Sequence, residues 1–463
     1  MASNTLTPLR IAFIHPDLGI GGAERLVVDA AVGLQSHGHS VKVFTSHHDP
    51  SHCFQETRDS TLDVSVIGDW LPRSILGKAY ILFAILRNLL LSASLLTAGL
   101  MGRENFDVLV VDQLSISVPL LRFSGAKILF YCHFPDKLLT KRESLLKTLY
   151  RLPVDMLEEL TTKMADKIVV NSKFTANIFR HAFPNIKSEP DVVYPGIHLK
   201  SYRGEVDEKS EGVAELVSDK KTILSINRFE RKKNIELAIH AFHALRSKED
   251  AQFESLRLVI AGGYDSRVTE NVEYLTELSS LAQGLNLSTH TYSTEARNIP
   301  PSTQVVFLPS FTESQRTHLL ATSQVLLYTP SNEHFGIVPL EAMYASLPVI
   351  AVNSGGPLET VVEGVTGFLR DGDPEAFAEA ITRIVKDGGV EGKRMGGMGR
   401  RRVEGTFSSE AFIDKLEAVI GEMLRSRNSE AEGTWQALMF RLLASAVVLA
   451  IVGWWFARYF SWP

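Results

Sequence analysis

Two glutamates eight positions apart, Glu333 and Glu341, lie in the segment SNEHFGIVPLEAMYASLPVIA. Pro339 suits the first turn of a helix, so we expect a helix that starts near Ile337, with one carboxylate just before it and the other inside it. Eight helical residues rise about 12 Å, close to the span from a ribose to a sugar across a diphosphate. The spacing therefore predicts that Glu333 binds sugar hydroxyls and Glu341 a ribose diol. Taken alone, such a pair is more often two solvated carboxylates.

The predicted helix start also offers a binding site for an anion. The first amides of a helix have no partner within the helix, and the helix dipole makes them attract negative charge. Here these amides belong to Gly336, Ile337 and Val338, and Gly336 lets a ligand approach closely. A diphosphate is a natural occupant, so we expect these three amides to bind one.

Two cations in the segment SINRFERKKN are suited to the same chemistry. Arg228 and Lys233 stand five positions apart on either side of a predicted strand-to-helix turn. Cations there would neutralise a leaving diphosphate as negative charge develops on it, which stabilises the transition state. Arg231 and Lys232 are expected to be surface charges. In isolation the segment is equally well described as a solvated basic turn.

Glycines at other predicted strand ends are consistent with a nucleotide site. Gly262 and Gly263 end the strand in LVIAGGYD, which permits a base or phosphate to approach closely, although alone they indicate a plain turn. The segment NSGGPLETV places Ser354 and the two glycines that follow it just after another strand, in a second loop compatible with phosphate. Each motif is ordinary by itself, so the prediction depends on their order along the chain.

The first half of the chain has its own candidates. The loop DLGIGGAERLV leads into a helix, and Gly21 and Gly22 would expose backbone amides. The GxGxxG order of nicotinamide-binding loops is missing and no acidic residue ends the next strand, which disfavours an oxidoreductase. In YCHFP, His133 stands at the carboxyl end of a strand, where we expect it to contact the transferred sugar. A lone histidine is otherwise more often a structural hydrogen-bonding group.

These motifs are separated by short apolar runs that alternate with helical patterns, in two series. Such alternation predicts an α/β protein with parallel sheets covered by helices, here two doubly wound domains with ligands bound beyond the carboxyl ends of the strands and between the facing domains. The expected divisions are an acceptor-side domain (1–198), a nucleotide-sugar domain (199–410), a crossover helix and linker (411–430) and a membrane anchor (431–463).

The composition limits the classes of function. The 463 residues carry a net charge of -5, which argues against a dedicated nucleic-acid binder. The two cysteines, Cys53 and Cys132, belong to no metal-ligand or disulfide pattern and fit a reducing compartment. The candidate motifs lack a DxD pair, so we expect no metal, and no cofactor is required by the predicted chemistry.

Three segments are candidates for contact with a membrane. The apolar run 442–457 follows a polar linker and contains two tryptophans, which predicts an anchor rather than a terminal helix packed on the domain. The apolar stretch 75–101 lies between two predicted strands of one sheet, so it is either a buried helix or one inserted from one side of the bilayer. Lys137, Lys141 and Arg142 begin a basic, leucine-rich helix that suits anionic lipid or an acceptor diphosphate, or is simply an exposed amphipathic face.

The ordered set GIGGAER, HFP, NSKF, YPGI, NRFERKKN, AGG, NEHFGIVPLEAM and SGGPLETV resembles the retaining glycosyltransferases of the GT-B fold that carry a Glu-x7-Glu motif. The resemblance covers roughly residues 9–425. Within that family, GGAERLVVDAA, YCHFPD and NRFERKKN are most similar to the endoplasmic reticulum mannosyltransferases that extend the dolichol-linked N-glycan precursor. One departure is His198, where relatives commonly carry Asp; it concerns only the contact at the domain linker.

The resemblance implies a reaction and roles for the candidate residues. The donor would be GDP-mannose and the acceptor a dolichol-linked oligosaccharide, extended by α-1,3 and α-1,6 additions on the cytosolic face of the endoplasmic reticulum membrane. Other enzymes of the pathway are candidate partners. By this resemblance Arg228 and Lys233 would clamp the diphosphate, Glu333 and the 335–338 backbone would contact the donor sugar, and Glu341 would bind the ribose. Gly21 and Gly22 would form the phosphate-facing loop, and His133 would be the histidine in the cleft.

Two further interpretations are compatible with the motifs. Another lipid-linked or soluble glycosyltransferase would use a UDP-sugar or a different acceptor, and competition between GDP and UDP separates it from the first. A catalytically silent scaffold would keep the two-domain fold without turnover. The presence of Arg228, Lys233, Glu333 and Glu341 together disfavours the scaffold.

Overall fold

The computed structural model of the chain describes residues 6–74, 80–140, 145–199, 208, 210, 212–248, 253–386 and 389–426. It divides into two compact units, Met1–Tyr194 with Phe412–Pro463, and Pro195–Ala411. The predicted anchor at 431–463, together with Lys141 and Arg142, lies outside the described residues.

The first unit is built on a seven-stranded parallel sheet with the order β3-β2-β1-β4-β5-β6-β7. Alternate residues of the first strand pack on opposite faces: Ile11 and Phe13 belong to one apolar cluster, and Ala12 and Ile14 to the other. Because helices cover both faces, the strands are apolar runs without polar alternation. The strands are β1 Arg10–His15, β2 Ser40–Thr45, β3 Asp63–Val66, β4 Val108–Asp112, β5 Lys127–Cys132, β6 Lys167–Val170 and β7 Asp191–Val192.

Helices connect these strands in the described residues. The helices are α1 Gly22–Ser36, α2 Tyr80–Leu100, α3 Val118–Leu121, α4 Asp136–Leu139, α5 Leu145–Thr162 and α6 Lys173–Ala182. Of these, α1, α3, α4 and α6 begin where the sequence offers a capping group, Gly or Pro. Ser172, for example, accepts a hydrogen bond from the Thr175 amide at the start of α6.

The apolar helix α2 is only partly covered by the unit. Leu91 and Leu95 pack in the core beneath the sheet, and the buried guanidinium of Arg87 donates from Nε to the carbonyl of Leu71 at 2.9 Å. Tyr80 and Leu86 are exposed on the same helix. The helix is long and apolar enough to cross a membrane, and 33% of its most apolar window is buried. One face of α2 is therefore a core face and the other remains apolar and accessible.

The second unit repeats the architecture, with the strand order β10-β11-β9-β8-β12-β13-β14 and all pairings parallel. Its strands are β8 Lys221–Ile226, β9 Leu256–Gly262, β10 Thr289–Thr291, β11 Val305–Pro309, β12 Val325–Tyr328, β13 Val349–Val352 and β14 Gly367–Arg370. Its helices are α7 Glu236–Lys248, α8 Thr269–Gly284, α9 Glu313–Thr322, α10 Ile337–Tyr344, α11 Pro357–Thr360, α12 Pro374–Val385 and α13 Val390–Thr406. Two doubly wound α/β units, as predicted, are confirmed.

The last described helix, α14 Ser409–Arg425, returns the chain to the first unit. Phe412, Ile413 and Leu416 join the apolar cluster that contains Ile11. A Cβ added at Gly33 would lie 2.3 Å from Cδ1 of Ile413, so this glycine is what allows α1 and α14 to pack so closely.

The strand order reverses once in each sheet, between β1 and β4 and between β8 and β12. In open α/β sheets ligands bind beyond the carboxyl ends of the strands at such a reversal. In the first unit those ends carry His15 and Asp112, and His133 follows the neighbouring β5. In the second unit the turn that starts at Asn227 follows β8, and the loop that contains Glu333 follows β12. The candidate residues of the sequence thus stand where the topology expects a ligand.

Candidate active site

The turn after β8 holds its two predicted cations in different environments. The side chain of Arg228 is 66% exposed and lies 3.2 Å from the carboxylate of Glu230. The side chain of Lys233 is only 13% exposed, and its ammonium forms an ion pair with Glu333. Thr329, just beyond β12, donates from Oγ1 to the Lys233 carbonyl at 2.7 Å. Lys233 is therefore held at its carbonyl by Thr329 and at its ammonium by Glu333, both in the segment that follows β12, whereas Arg228 is exposed enough to reach a ligand.

Tyr328, the last residue of β12, is a partner of Glu333 that the sequence did not reveal. Its hydroxyl makes a hydrogen bond with the Glu333 carboxylate, and burial together with that carboxylate raises the pKa of Tyr328 well above its usual value. Glu341 contributes to the same rise, so its charge also lies close to the tyrosine. The buried hydroxyl is thus neutral and lies near both carboxylates of the Glu-x7-Glu motif. A tyrosine that ends an apolar strand looks like a core residue in sequence, and only the strand order gives it this position.

The helix predicted after Glu333 is present and begins at Ile337, with Gly336 as its N-cap. Gly336 has φ +85°, and a Cβ built on it would lie 2.9 Å from the Tyr328 hydroxyl oxygen, so both backbone conformation and space require glycine. The side chain of Phe335 is buried against Phe407, with ring centroids 5.9 Å apart. Phe335 can therefore meet a ligand through its backbone, which is the role predicted for residues 335–338.

Glu341 lies inside α10 and is buried, with 7% of its surface exposed. Arg316 of α9 places Nη1 3.1 Å from Oε1 of Glu341, and the same guanidinium pairs with the exposed Glu313. Arg316 thus fixes the orientation of the Glu341 carboxylate, which is predicted to bind the ribose. No local signal identifies Arg316, because it stands on an ordinary helix whose packing against α10 depends on the fold.

The glycines of the two other loops are explained by packing within the unit. A Cβ on Gly262 would lie 1.7 Å from the Asn227 carbonyl oxygen, and one on Gly263 would lie 3.1 Å from Cγ of Arg228. A Cβ on Gly355, which has φ +67°, would lie 2.5 Å from the Glu333 carbonyl oxygen, and the Gly356 amide donates to that carbonyl at 2.7 Å. These glycines let the loops support the Arg228 turn and the Glu333 loop. Direct donor contact by Gly262 and Gly263 stays a prediction.

In the first unit the glycine loop starts α1, with Gly21 as N-cap and Gly22 as the first helical residue. A Cβ on Gly21 would lie 2.2 Å from Oε2 of Glu24, whereas one on Gly22 would meet nothing within 4 Å. The Glu24 carboxylate therefore lies against the α-carbon of Gly21, and Gly22 is the more open of the two. Their predicted contact with a phosphate stays a prediction.

His133 belongs to a buried charged cluster at the carboxyl ends of β1, β4 and β5. Its Nε2 lies 2.7 Å from Oδ1 of Asp112, and the other oxygen, Oδ2, lies 2.8 Å from Nδ1 of His15. Glu24 is 3.8 Å from the second nitrogen of His15. Although burial opposes the charged forms of both groups, the two histidines lower the pKa of Asp112 to about 2, and Asp112 and Glu24 raise the pKa of His15 to about 9. At neutral pH Asp112 is ionised and His15 is protonated.

Asp112 and His15 were not singled out from the sequence, but a signal for them exists. Each ends a central apolar strand with a titratable residue, in VLVVD and RIAFIH, at the position where doubly wound sheets place ligand-binding groups. A search for polar residues at the carboxyl end of every predicted strand would have found both.

Lys137 differs from the exposed cation that was expected. Its ammonium contacts the carbonyl of Ala182 at the end of α6 and lies 4.7 Å from the ring centroid of Phe183. The partial negative charge of a helix C-terminus attracts such a cation. Arg151, from the same basic segment, is buried and pairs with Asp136 at 2.8 Å. Lys137 and Arg151 are thus both tied into the unit.

No group of three or more His, Cys, Asp or Glu side chains is placed to hold a metal ion within the ranges that the structure covers.

Two family models match the chain, glycosyltransferase family 4 over residues 20–201 and glycosyl transferases group 1 over residues 206–402. Among solved structures, the chain is similar to sucrose-phosphate synthase from Thermosynechococcus elongatus, with a TM-score of 0.66, 21% identity and coverage of 89% of this chain and 98% of that one. A glycosyltransferase from Rickettsia africae gives a TM-score of 0.67 at 18% identity, covering 91% and 100%. These likenesses concern the fold, and the expected GT-B class is confirmed.

Curated relatives are much more similar in sequence. The chain is 54% identical to the alpha-1,3/1,6-mannosyltransferase ALG2 of Rhizomucor pusillus, over 97% of this chain and 98% of the relative. It is 47% identical to the enzyme of that name from Homo sapiens, over 89% and 96%, and 46% identical to that from Saccharomyces cerevisiae, over 89% and 85%. The chain belongs to the α-1,3/1,6-mannosyltransferase family of glycosyltransferases.

Proposed function

We propose that this chain transfers mannose from GDP-mannose to a dolichyl-diphosphate-linked Man1GlcNAc2 acceptor. It adds an α-1,3 and an α-1,6 mannose to give Man3GlcNAc2 in the synthesis of the N-glycan precursor. Family membership supports the proposal, and the observation that carries it is the contact between Lys233 and Glu333 at the strand reversal of the second unit. That contact brings a diphosphate-binding cation and a sugar-binding carboxylate to one point.

The second unit binds the diphosphate of the donor and also the two sugars on either side of it, the ribose and the mannose. The amides at the start of α10, on Gly336, Ile337 and Val338, face the diphosphate, since the first turn of a helix leaves them without intrahelical partners. Glu341, held by Arg316, accepts hydrogen bonds from the ribose diol. Glu333, held by Tyr328, accepts hydrogen bonds from the mannose hydroxyls.

The reaction proceeds with retention at the anomeric carbon. The bond from C1 of mannose to the β-phosphate oxygen breaks, the acceptor oxygen bonds to C1 on the same face, and the acceptor proton passes to the departing diphosphate. Arg228 and Lys233 stabilise the negative charge that develops on that diphosphate. His133 contacts the transferred sugar. The cations and the helix start supply the positive field, so we propose no metal or cofactor.

We place the enzyme at the endoplasmic reticulum membrane with its catalytic units on the cytosolic face. The accessible apolar face of α2, with Tyr80, Leu82 and Leu86 exposed, supports contact with a bilayer. A dolichol-linked acceptor is confined to a membrane, so contact of this kind would bring the first unit close to it.

The decisive experiment is a transfer assay with the purified full chain. Labelled GDP-mannose and a phytanyl-diphosphate chitobiose-mannose acceptor are incubated with the protein, and the linkages of the products are analysed. We expect both α-1,3 and α-1,6 products, with inhibition by GDP and little by UDP. Stronger inhibition by UDP would assign a different donor, and absence of transfer with intact folding would indicate a silent scaffold.

A further inference from the structure

The buried cluster of the first unit contains a carboxylate that touches two histidines at once. Asp112 has 2% of its surface exposed, yet both of its oxygens are engaged: Oδ1 lies 2.7 Å from His133 Nε2 and Oδ2 lies 2.8 Å from His15 Nδ1. A buried ionised carboxylate is stable only when such partners compensate its charge. Two contacts on opposite oxygens also prevent the carboxylate from rotating, so its direction toward His133 is fixed.

The two histidines are not equivalent. His15 is fully buried, between Asp112 and Glu24, and has no route to a ligand other than through these carboxylates. The side chain of His133 is 19% exposed and follows β5 at the edge where ligands bind. His15 therefore serves the cluster as a fixed cation, and His133 is the member that can meet a substrate.

The contact with Asp112 decides which nitrogen of His133 carries the proton. A neutral imidazole has one N–H and one bare nitrogen. The contact of Nε2 with Asp112 is not aligned as a hydrogen bond, but its separation of 2.7 Å would set the lone pair of a bare Nε2 against an ionised carboxylate, so the proton lies on Nε2. Nδ1 is then the bare nitrogen, able to accept a hydrogen bond from a hydroxyl.

We propose that Asp112 is a positioning residue for His133: it holds the ring as the Nε2–H tautomer, so that Nδ1 accepts a hydrogen bond from a hydroxyl of the transferred mannose. The proposal rests on the proposed function and adds to it the way in which the sugar is oriented. Tyr131, whose ring centroid lies 4.9 Å from that of His133, supports the same orientation from the side.

The first test is a double-mutant cycle measured as kcat with GDP-mannose and the lipid acceptor. We expect Asp112→Asn to lower kcat at least about tenfold, and to add nothing further when His133 is already alanine, because residues that act as a unit are not additive. Asp166→Asn is the matched control: its side chain is 10% exposed and accepts from the Ile128 amide at 2.8 Å, but it precedes β6 at the opposite end of the sheet. It should leave kcat within about twofold.

Two results of the cycle overturn the proposal: kcat of Asp112→Asn within twofold of the unmodified chain, or losses of the two single variants that multiply in the double variant. A second measurement needs no variant of Asp112 and so keeps the proposal open to refutation if that variant does not fold. Nitrogen-15 labelling of the histidines reports the tautomer of neutral His133, assigned by the signal lost in His133→Gln. We expect protonation at Nε2, and protonation at Nδ1 would refute the proposal.

The outcomes separate this proposal from the function on which it rests. If the unmodified chain transfers no mannose, the proposed function fails, while the tautomer measurement still tests Asp112. If transfer occurs and the tautomer or the cycle disagrees, only the role of Asp112 is rejected.

Discussion

Lys233 and Glu333, 100 positions apart in the chain, form an ion pair at the point where the second sheet reverses its strand order. In this ion pair the carboxylate of Glu333 compensates the positive charge of the Lys233 ammonium before any donor binds. A diphosphate would offer Lys233 a second anion, and Glu333 would keep the hydroxyl of Tyr328 as a partner. On the proposed function, Lys233 would then turn from the carboxylate to the leaving group as charge develops, and Glu333 would become available to the sugar.

This exchange predicts a specific defect for Lys233→Ala. Removal of one preorganised electrostatic group commonly costs about 100- to 1000-fold in turnover, and we expect a loss of that size in kcat. The affinity for GDP, measured by titration calorimetry, should change by less than about fivefold, because the helix start still binds the diphosphate. Equal losses in turnover and GDP affinity would contradict a role specific to the transition state.

The chain provides a matched control one residue away. Lys232 is 67% exposed and pairs with Glu230 at 2.9 Å rather than with Glu333. Lys232→Ala removes the same charge from the same turn, and it should leave turnover and GDP affinity within about twofold. A large effect there would mean that the turn acts through its overall charge.

Glu341→Gln tests the ribose contact. We expect the affinity for GDP to fall about tenfold or more, since a hydrogen bond to a charged group contributes about 1.5–3 kcal/mol. Glu313→Gln is the control, because Glu313 pairs with the same Arg316 but has a side chain that is 65% exposed. If the two variants lower the affinity for GDP equally, Arg316 and not Glu341 contacts the ribose. If Glu341→Gln leaves the affinity unchanged, the Glu341 carboxylate does not contact the donor.

The local patterns predicted the strands that carry the candidate residues, the helix start at Ile337 and the two doubly wound units because each depends on residues close in sequence; the edge strands β3, β10 and β14 were not predicted. Apolar runs, a proline in a first turn and glycines at strand ends are all short-range signals. The contact of Lys233 with Glu333 follows from the adjacency of β8 and β12, which only the strand order of the fold establishes. The partners Tyr328, Arg316 and Asp112 escaped notice because each is an unremarkable residue of a strand or helix until the strand order is known.

The glycines show a second limit of sequence patterns. Gly262 and Gly355 were expected to make room for a nucleotide, and the structure shows that each makes room for another segment of the backbone, at Asn227 and Glu333. A sequence indicates that a Cβ is excluded at such positions, but it does not indicate whether a ligand or a neighbouring loop excludes it.

Gly356→Ala should therefore act through the shape of the Glu333 loop. A Cβ at residue 356 would lie 2.0 Å from the carbonyl oxygen of Phe335, a contact that requires backbone movement. We expect a loss of about 1–3 kcal/mol in the free energy of unfolding, the usual cost of overpacking, and a large drop in turnover. Gly397→Ala in α13 is the control, since nothing lies within 4 Å of its added Cβ; it should be neutral or slightly stabilising. A fully active and stable Gly356→Ala would show that the loop adjusts freely.

Tyr328→Phe tests whether the buried hydroxyl orients Glu333. The substitution keeps the ring in the core and removes one neutral hydrogen bond, so we expect turnover to fall about 3- to 10-fold with little change in melting temperature. Tyr274→Phe is the comparison, because the Tyr274 hydroxyl accepts from the Ile235 amide at 2.8 Å and contacts Glu236 within the core. Tyr274→Phe should lower the stability and not the turnover. If Tyr328→Phe also lowers only the stability, Tyr328 has no role in the reaction.

The buried His15 predicts how the stability of the protein depends on pH. Its pKa is raised from 6.5 to about 9, so its stabilising charge is fully present below pH 6.5 and is lost as pH rises through 9. The groups that face it do not titrate in this window: the pKa of Asp112 is about 2, that of Glu24 is lowered, and that of Tyr131 is raised well above 10.

Between pH 6.5 and 9 the cluster should therefore lose on the order of 2–3 kcal/mol of the free energy of unfolding. Chemical denaturation of the full chain at several pH values measures this loss. His15→Gln should be less stable at pH 6.5 and approach the unmodified chain near pH 10, because the charge that it lacks is by then lost from both. His52→Gln, at an exposed histidine of the same unit, should follow the unmodified chain at every pH. A constant difference between His15→Gln and the unmodified chain across this range would mean that His15 contributes packing and no charge.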